Sequence, residues 1–319
     1  MSQPLISIIM ACYNGTRFVS EQIDSLLQQT YTHWELIIRD DGSSDSTPLI
    51  LNQYAKSYPD KIKILKDNLG NVGSVQNFNR LMQEAKQAEY VMLCDQDDKW
   101  QNDKIEVSFL RMKVLEQQYG KDCPLLFFTN FQYVDENMEV IRSKQSFEIN
   151  RIPDFGFPHL LAQNPVYGCT CLMNRALLSK VGVIPSPVHS HDHWIALIAA
   201  AFGQLYYSPE KTVLYRQHTN NVSGNFNNNS FKKRLQRIVM ERKNSQEVKD
   251  RYKMLLCFKE KYDIAIDQKQ RLMLDNFLCF VSKKNVVCMI KSIQNKVRSQ
   301  TPVQSLLMYA TALFTKIQR

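Results

Sequence analysis

No apolar run in this sequence approaches the roughly 18 residues that a membrane-crossing helix needs. The opening stretch "MSQPLISIIMACYNG" is apolar, but no basic segment precedes it and no small-residue cleavage site follows. It reads as a buried strand and not as a signal peptide. Paired cysteines are missing too. The eight cysteines show no CxxC spacing, and Cys169 and Cys171, the closest two, fit alternation along a strand better than a metal site. Reduced thiols in a cytoplasmic protein are expected. Two phosphate cradles are also absent. No GxGxxG follows a predicted strand and GxxxxGK[ST] occurs nowhere, which removes the usual signatures of dinucleotide oxidoreductases and P-loop ATPases.

What is present is ordinary in bulk and uneven in charge. The 319 residues are 44% hydrophobic and 22% charged, as in a folded chain. The formal net charge of +9 belongs to the last third: residues 220–319 hold 20 Lys+Arg against 7 Asp+Glu, and the rest is slightly acidic. The polar, Asn-rich "TNNVSGNFNNNS" (219–230) marks the division. A catalytic domain over 1–222 and a basic α-helical extension over 223–319 are expected.

The first part alternates strand and helix. "PLISIIMAC", "WELIIRD", "KIKILK" and "YVMLC" read as strands. "RFVSEQIDSLLQQ", with Phe18, Ile23, Leu26 and Leu27 on one face, "STPLILNQYAKSY", with a cap-like Ser46, and "GSVQNFNRLMQEAKQA" read as helices. This order predicts an α/β fold: a mostly parallel central sheet with helices on both faces. Ligands of such sheets bind at the carboxyl ends of the strands. There the sequence puts "YNGT", "DDGSSDS", "DNLGNVG" and "DQDD".

Each of these loops has a plain reading and a chemical one. "DDGSSDS" is a turn and helix start, or it presents Asp41 to the ring N–H of a pyrimidine. "NLGNVGSVQNFN" is a Gly-rich turn, or it aims a helix N-terminus, with Asn71, at a ligand. "DQDD" places carboxylates at Asp95 and Asp97, spaced so that both can turn to one hard divalent ion such as Mg²⁺ or Mn²⁺. In "SHDHWIALIAAAFG", Asp192 lies between His191 and His193 at the start of an apolar helix. It is a helix cap or a general base sheltered by Trp194. "VLYRQHTNN" ends a predicted strand with Arg216 and His218, placed for a diphosphate or metal contact or for a structural role.

Taken in order, "SIIMACYNG", "WELIIRDDGSSDST", "NLGNVGSVQNFN", "LCDQDDKWQNDKI", "NPVYGCTCLMNRAL", "HDHW" and "YRQHTNNVSG" make residues 5 to about 222 resemble the family 2 glycosyltransferases. These have the nucleotide-diphosphosugar transferase fold, and the bacterial rhamnosyltransferase-like branch is the most similar. The chain departs from that branch at Lys99 and His193. The resemblance implies that Ala11 and Tyr13 line a nucleotide pocket and that Asp41 recognises uracil or thymine. It implies a DxD motif at Asp95 and Asp97 with Asp98 beside it, Asp192 as catalytic base, and His218 near the metal or diphosphate. Gly168 and Cys169 would fall near the sugar and acceptor, with His191, Trp194 and Arg216 around them. It further implies an inverting reaction with Mn²⁺ or Mg²⁺, a dTDP- or UDP-sugar donor and a lipid-linked glycan acceptor. A nucleotidyltransferase is the alternative, but "ACYNGTRF" lacks the Gly- and Lys/Arg-rich phosphate loop; a non-catalytic nucleotide- or glycan-binding relative is the other.

The last third reads as helices: "FKKRLQRIVMERK", "VKDRYKMLLCFKEKY", "QKQRLMLDNFLCFVSKK", "VVCMIKSIQNKV" and "VQSLLMYATALFTKI". Lys232, Lys233, Arg234 and Arg237 beside Leu235, Ile238 and Val239 fit peripheral contact with an anionic membrane on its inner face, or a helical extension with solvated charge. No nucleic-acid motif is present.

Overall fold

The computed structural model describes residues 3–143, 155–218 and 242–317. The expected linker at 219–230, the helix at 231–243 for most of its length, and its basic cluster Lys232, Lys233, Arg234 and Arg237 lie outside them. The chain forms two compact units. The first takes in residues 1–148, 166–184 and 202–220; the second 149–165, 185–201 and 221–319. The units are therefore not contiguous stretches on either side of residue 222.

The first unit is an eight-stranded mixed sheet in the order β3-β2-β1-β4-β7-β6-β8-β5. β1 (Ile6–Cys12), β2 (Trp34–Asp40), β3 (Ile62–Ile64) and β4 (Tyr90–Asp95) are parallel neighbours, as the alternation predicted. β5 is Lys99–Trp100, β6 Leu125–Val134, β7 Cys171–Asn174 and β8 Gln204–Arg216. β7 runs antiparallel to both β4 and β6, while β6 and β8 are parallel. Helices α1 (Val19–Leu27), α2 (Thr47–Ser57), α3 (Ser74–Glu84), α4 (Lys104–Tyr119) and α6 (Arg175–Val181) accompany this sheet, and α5 (Phe157–Ala162) belongs to the second unit.

β1 is central and paired on both edges, so nearly every side chain of "ISIIMAC" is buried. α1 buries Val19, Ile23 and Leu26, while Phe18 and Leu27 are half-buried at its margin. Ser46 does not cap α2: its side chain makes no capping bond, and Asp45 accepts from the Thr47 N–H at 2.9 Å instead. An acid one residue earlier serves the same orphan donor with a longer reach.

The second unit contains α5, α7 (His191–Phe202, up to residue 201), α8 (Arg242–Tyr262), α9 (Gln268–Lys283), α10 (Val286–Gln294) and α11 (Pro302–Phe314). Three of these helices have side-chain caps: Asp267 accepts from Gln270 N, Asn285 from Cys288 N and Thr301 from Gln304 N. Pro302 then fits the first turn of α11, where no N–H is needed. Among the described residues no helix is long and apolar enough to cross a membrane. All eight cysteines are free thiols.

Candidate active site

Register decides which loops meet. In the central strand Ala11 pairs with Arg39 on one side and Asp95 on the other. The carboxyl ends of β1, β2 and β4 therefore bring Tyr13–Thr16, Asp40–Ser46 and Asp95–Asp98 to one edge. The first two segments are laced together. Asn14 N–H donates to Ser43 Oγ at 2.8 Å, Ser44 N–H to Asn14 Oδ1 at 2.9 Å and Gly15 N–H to Thr47 Oγ1 at 2.7 Å. Gln96 grips Tyr13 from the third: Tyr13 N–H donates to its Oε1 and its Nε2 donates to Tyr13 O, both at 2.9 Å. Tyr13 is left 48% exposed.

Asp41 is 2% exposed and its carboxylate is already bonded. Oδ1 accepts from Arg39 Nη1 at 2.6 Å and from Val72 N–H at 2.8 Å, and Oδ2 accepts from Gly73 N–H at 2.8 Å. Arg39, itself 1% exposed, also forks onto Asp67 through Nε and Nη2, each at 3.0 Å, and reaches Gly70 O at 3.0 Å. That pairing holds the Asp67 carboxyl down to about 2. The loop 67–73 is thus tied to the end of β2. Left-handed φ at Asn68, Gly70 and Gly73 lets it fold back there. Asn71 is exposed on this loop.

The carboxylates of "DQDD" do not point one way. Asp97 Oδ2 meets His218 Nε2 at 2.8 Å, and the His218 ring lies against Phe18 with centroids 5.0 Å apart. Asp98 turns inward, 1% exposed, accepting from Arg216 N–H at 3.2 Å while its Oδ2 has no hydrogen-bond partner. Burial first, then the charges of Asp97 and Asp95, push the Asp98 carboxyl well above its ordinary range. Ligand atoms of Asp95, Asp98 and Cys169 lie within 4.8 Å of one another. Cys169 sits in a 3-10 turn (Gly168–Thr170) and only Cys171 belongs to a strand, so strand alternation does not account for the pair. Half-buried Asp95 and Asp97, with an unsatisfied buried oxygen on Asp98, are hard oxygen donors that fit Mg²⁺ or Mn²⁺.

Arg216 has a different role from the sugar contact expected of it. It is 2% exposed and donates to Asp97 O at 2.8 Å, to Glu136 O at 2.7 Å and to Glu21, with its guanidinium 4.4 Å from the Phe18 ring centroid. A buried fork so occupied braces the carboxylate loop. Gly168 and Cys169 are likewise buried, with the Cys169 sulfur close to the carboxylates of Asp95 and Asp98.

Three expected site residues, Asp192, His191 and Trp194, belong to the second unit together with His193. Asp192 stands half-buried in the first turn of α7, where Oδ1 accepts from Ser190 Oγ and from His193 N–H. Its Oδ2 accepts nothing among the described residues. His191 is half-buried and burial pushes its pKa down. His193 meets Leu160 O at 2.7 Å, and its pKa is pushed down to about 3 by burial. Trp194 is corrected from an acceptor contact to a core residue: it is 0% exposed and packs on Phe258 and Tyr262.

Lys104 went unassigned in the sequence. Its Nζ is buried without a hydrogen-bond partner, 4.6 Å from the Trp100 ring centroid, and burial lowers its pKa to about 8. A lysine as the first residue of a helix opposes the helix dipole. That local misfit was the available signal for a cation placed to offset the buried acid nearby.

Comparison with known proteins gives the family and the fold. The family model for Glycosyl transferase family 2 matches residues 7–178. A dTDP-rhamnosyl transferase of Shigella flexneri is 31% identical over 251 residues, covering 73% of this chain and 79% of that one. An uncharacterized glycosyltransferase of Rickettsia typhi is 28% identical over 221 residues, covering 67% of this chain; the match spans 64% of that relative. The solved structure of a mannosyltransferase from Pyrobaculum calidifontis, in complex with GDP-Man and Mn²⁺, has the same fold. Its TM-score is 0.55 at 15% identity, covering 98% of this chain and 88% of that one.

Proposed function

From the premise that this chain belongs to glycosyl transferase family 2, whose model covers more than half of it, we propose an inverting, metal-dependent transfer of a sugar from a nucleotide diphosphosugar. The acceptor is a hydroxyl of a growing, lipid-linked bacterial surface polysaccharide. The observation that carries the reading is the crowding of Asp95, Asp97 and Asp98 at the end of β4, across β1 from the Arg39–Asp41 pair. The likeness to a dTDP-rhamnosyl transferase of Shigella favours dTDP-L-rhamnose as donor, with a UDP-hexose as the other candidate.

Ala11, Tyr13 and Asn71 line the nucleotide side. Asp41 Oδ2 accepts one hydrogen bond, so it keeps a lone pair for the imide N–H of uracil or thymine. A base reaching it displaces part of the 67–73 loop. Asp95 and Asp97, with His218 behind Asp97, would hold Mn²⁺ or Mg²⁺, which neutralises charge developing on the diphosphate. Asp192 takes the proton of the acceptor hydroxyl as its oxygen bonds to the anomeric carbon. The bond from that carbon to the diphosphate oxygen breaks, and the nucleoside diphosphate leaves with the electron pair. One displacement with one base inverts the carbon.

A donor panel tests this directly. Purified protein with Mn²⁺ or Mg²⁺ and a set of dTDP- and UDP-sugars is assayed for released nucleotide, beside Asp97→Ala and Asp192→Asn. Release from one donor, lost without metal and in Asp97→Ala, is expected. Equal activity in wild type and Asp97→Ala removes the metal role, and a folded chain that neither hydrolyses nor binds any of the nucleotide sugars removes the donor class.

A further inference from the structure

Two consecutive helices of the second unit carry their apolar side chains on the outside. α10 buries only Ser292, whereas Val286, Val287, Ile290 and Ile293 are between 47% and 60% exposed. Val286, Ile290 and Ile293 share one face at i, i+4 and i+7. α11 buries Met308, Tyr309 and Ala312, while Val303, Leu306, Leu313 and Phe314 form an outward stripe, with Leu306 at 69% and Phe314 at 87% exposure. A groove of about 680 Å³ runs between the helices, lined by Met289, Ile293, Leu306, Ala310 and Leu313, with Lys296 and Arg298 in the chain that joins them. Isolated exposed apolar residues need no explanation, but a patch of this extent on two helices does.

The charge around the patch has one sign. No Asp or Glu follows Asp275, while Lys283, Lys291, Lys296 and Lys316 are exposed. We propose that the α10–α11 face docks this protein on an anionic bilayer. The apolar stripes dip below the headgroups, and the lysines meet lipid phosphates at the rim. A second copy of the same face would bring like charges together. The segment 219–241 carries Lys232, Lys233, Arg234 and Arg237 and so has the same sign. A nucleic acid would leave the isoleucine, leucine and phenylalanine side chains unused. No described helix is long enough to cross, so the contact lies on the membrane and not through it.

This surface extends the lipid-linked acceptor of the proposed function, but testing it needs no donor, metal or acceptor, so the two stand or fall separately. The full chain is sedimented with vesicles of phosphatidylcholine alone or mixed equally with phosphatidylglycerol. The variants are Ile290→Glu with Leu306→Glu, Lys291→Gln with Lys296→Gln, and Lys232→Gln with Lys233→Gln and Arg234→Gln. Wild type is expected on the mixed vesicles and not on phosphatidylcholine. Each α10–α11 variant should bind about tenfold or more weakly, with unchanged circular dichroism. Absence of wild-type binding overturns the proposal, as does binding that survives Ile290→Glu with Leu306→Glu. Loss confined to the Lys232 variant overturns it too. A dimer that Leu306→Glu dissociates, without vesicle binding, gives the face to a second copy.

Discussion

Replacing Arg39 with glutamine removes the cation that joins the end of β2 to the 67–73 loop. The change strands two acids at once: Asp41, whose side chain is 3% exposed, and Asp67, at 11%. Breaking a buried pair by removing one partner costs about 3–5 kcal/mol, because the remaining charge stays buried without compensation. An exposed pair gives the contrast. Lys63, 63% exposed, reaches Glu35 at 2.8 Å, and Lys63→Gln should cost about 0–1 kcal/mol. In urea unfolding, Arg39→Gln should lower the midpoint of the first unit by about 1–2.5 M, given slopes of roughly 2–3 kcal/mol/M. Nucleotide affinity should fall as well, since Asp41 and the backbone of Val72 and Gly73 lose their shared anchor. A midpoint shift no larger than that of Lys63→Gln, or nucleotide binding at wild-type strength, would refute the reasoning.

The Asp67 carboxyl is held down to about 2, first by the Arg39 guanidinium, so its folded value lies below its unfolded one. Its contribution to stability is therefore full above pH about 4 and is lost as pH falls through about 2; urea midpoints across that window should slope in wild type and flatten in Asp67→Asn. A Cβ added at Gly203 would lie 1.8 Å from Pro124 O, a backbone atom that cannot swing aside. Gly203→Ala should thus lose about 1–3 kcal/mol or more on thermal unfolding, whereas Gly15→Ala, which meets only the Gln96 side-chain end, should cost less. Cys279 and Cys288 approach within 2.7 Å at sulfur. A diamide-type oxidant should join these two thiols, read as a peptide cross-link by mass spectrometry, and a cross-link between other cysteines would contradict the packing of α9 on α10.

The parallel strands β1 to β4 and the loops at their ends were legible because buried strands read as apolar runs and the informative loops follow them directly. β7 was not legible as a reversed strand. Its four residues carry no signal of direction, which tertiary pairing with β4 and β6 decides. Asp95, Asp97 and His218 were named from spacing and resemblance, and Asp97 does meet His218. The inward turn of Asp98 was missed, since sequence cannot say which of three neighbouring acids is buried. Arg216 and Trp194 were read as ligand contacts because arginine and tryptophan serve both recognition and cores. Burial, which one sequence does not display, assigned them to structure. Arg39 went unnoticed inside "WELIIRD", although a charged residue in an otherwise buried strand calls for partners.

The measurement closest to the central claim is Mn²⁺ binding itself. Free Mn²⁺ is followed by its electron paramagnetic resonance signal during titration into protein with a dTDP or UDP nucleotide present, for wild type and Asp97→Asn. Nucleotide-dependent uptake by wild type, weakened about tenfold or more in a folded Asp97→Asn chain that still binds nucleotide, is the predicted result. Equal Mn²⁺ uptake by the two proteins, or wild type that binds nucleotide and takes up no metal, would contradict it.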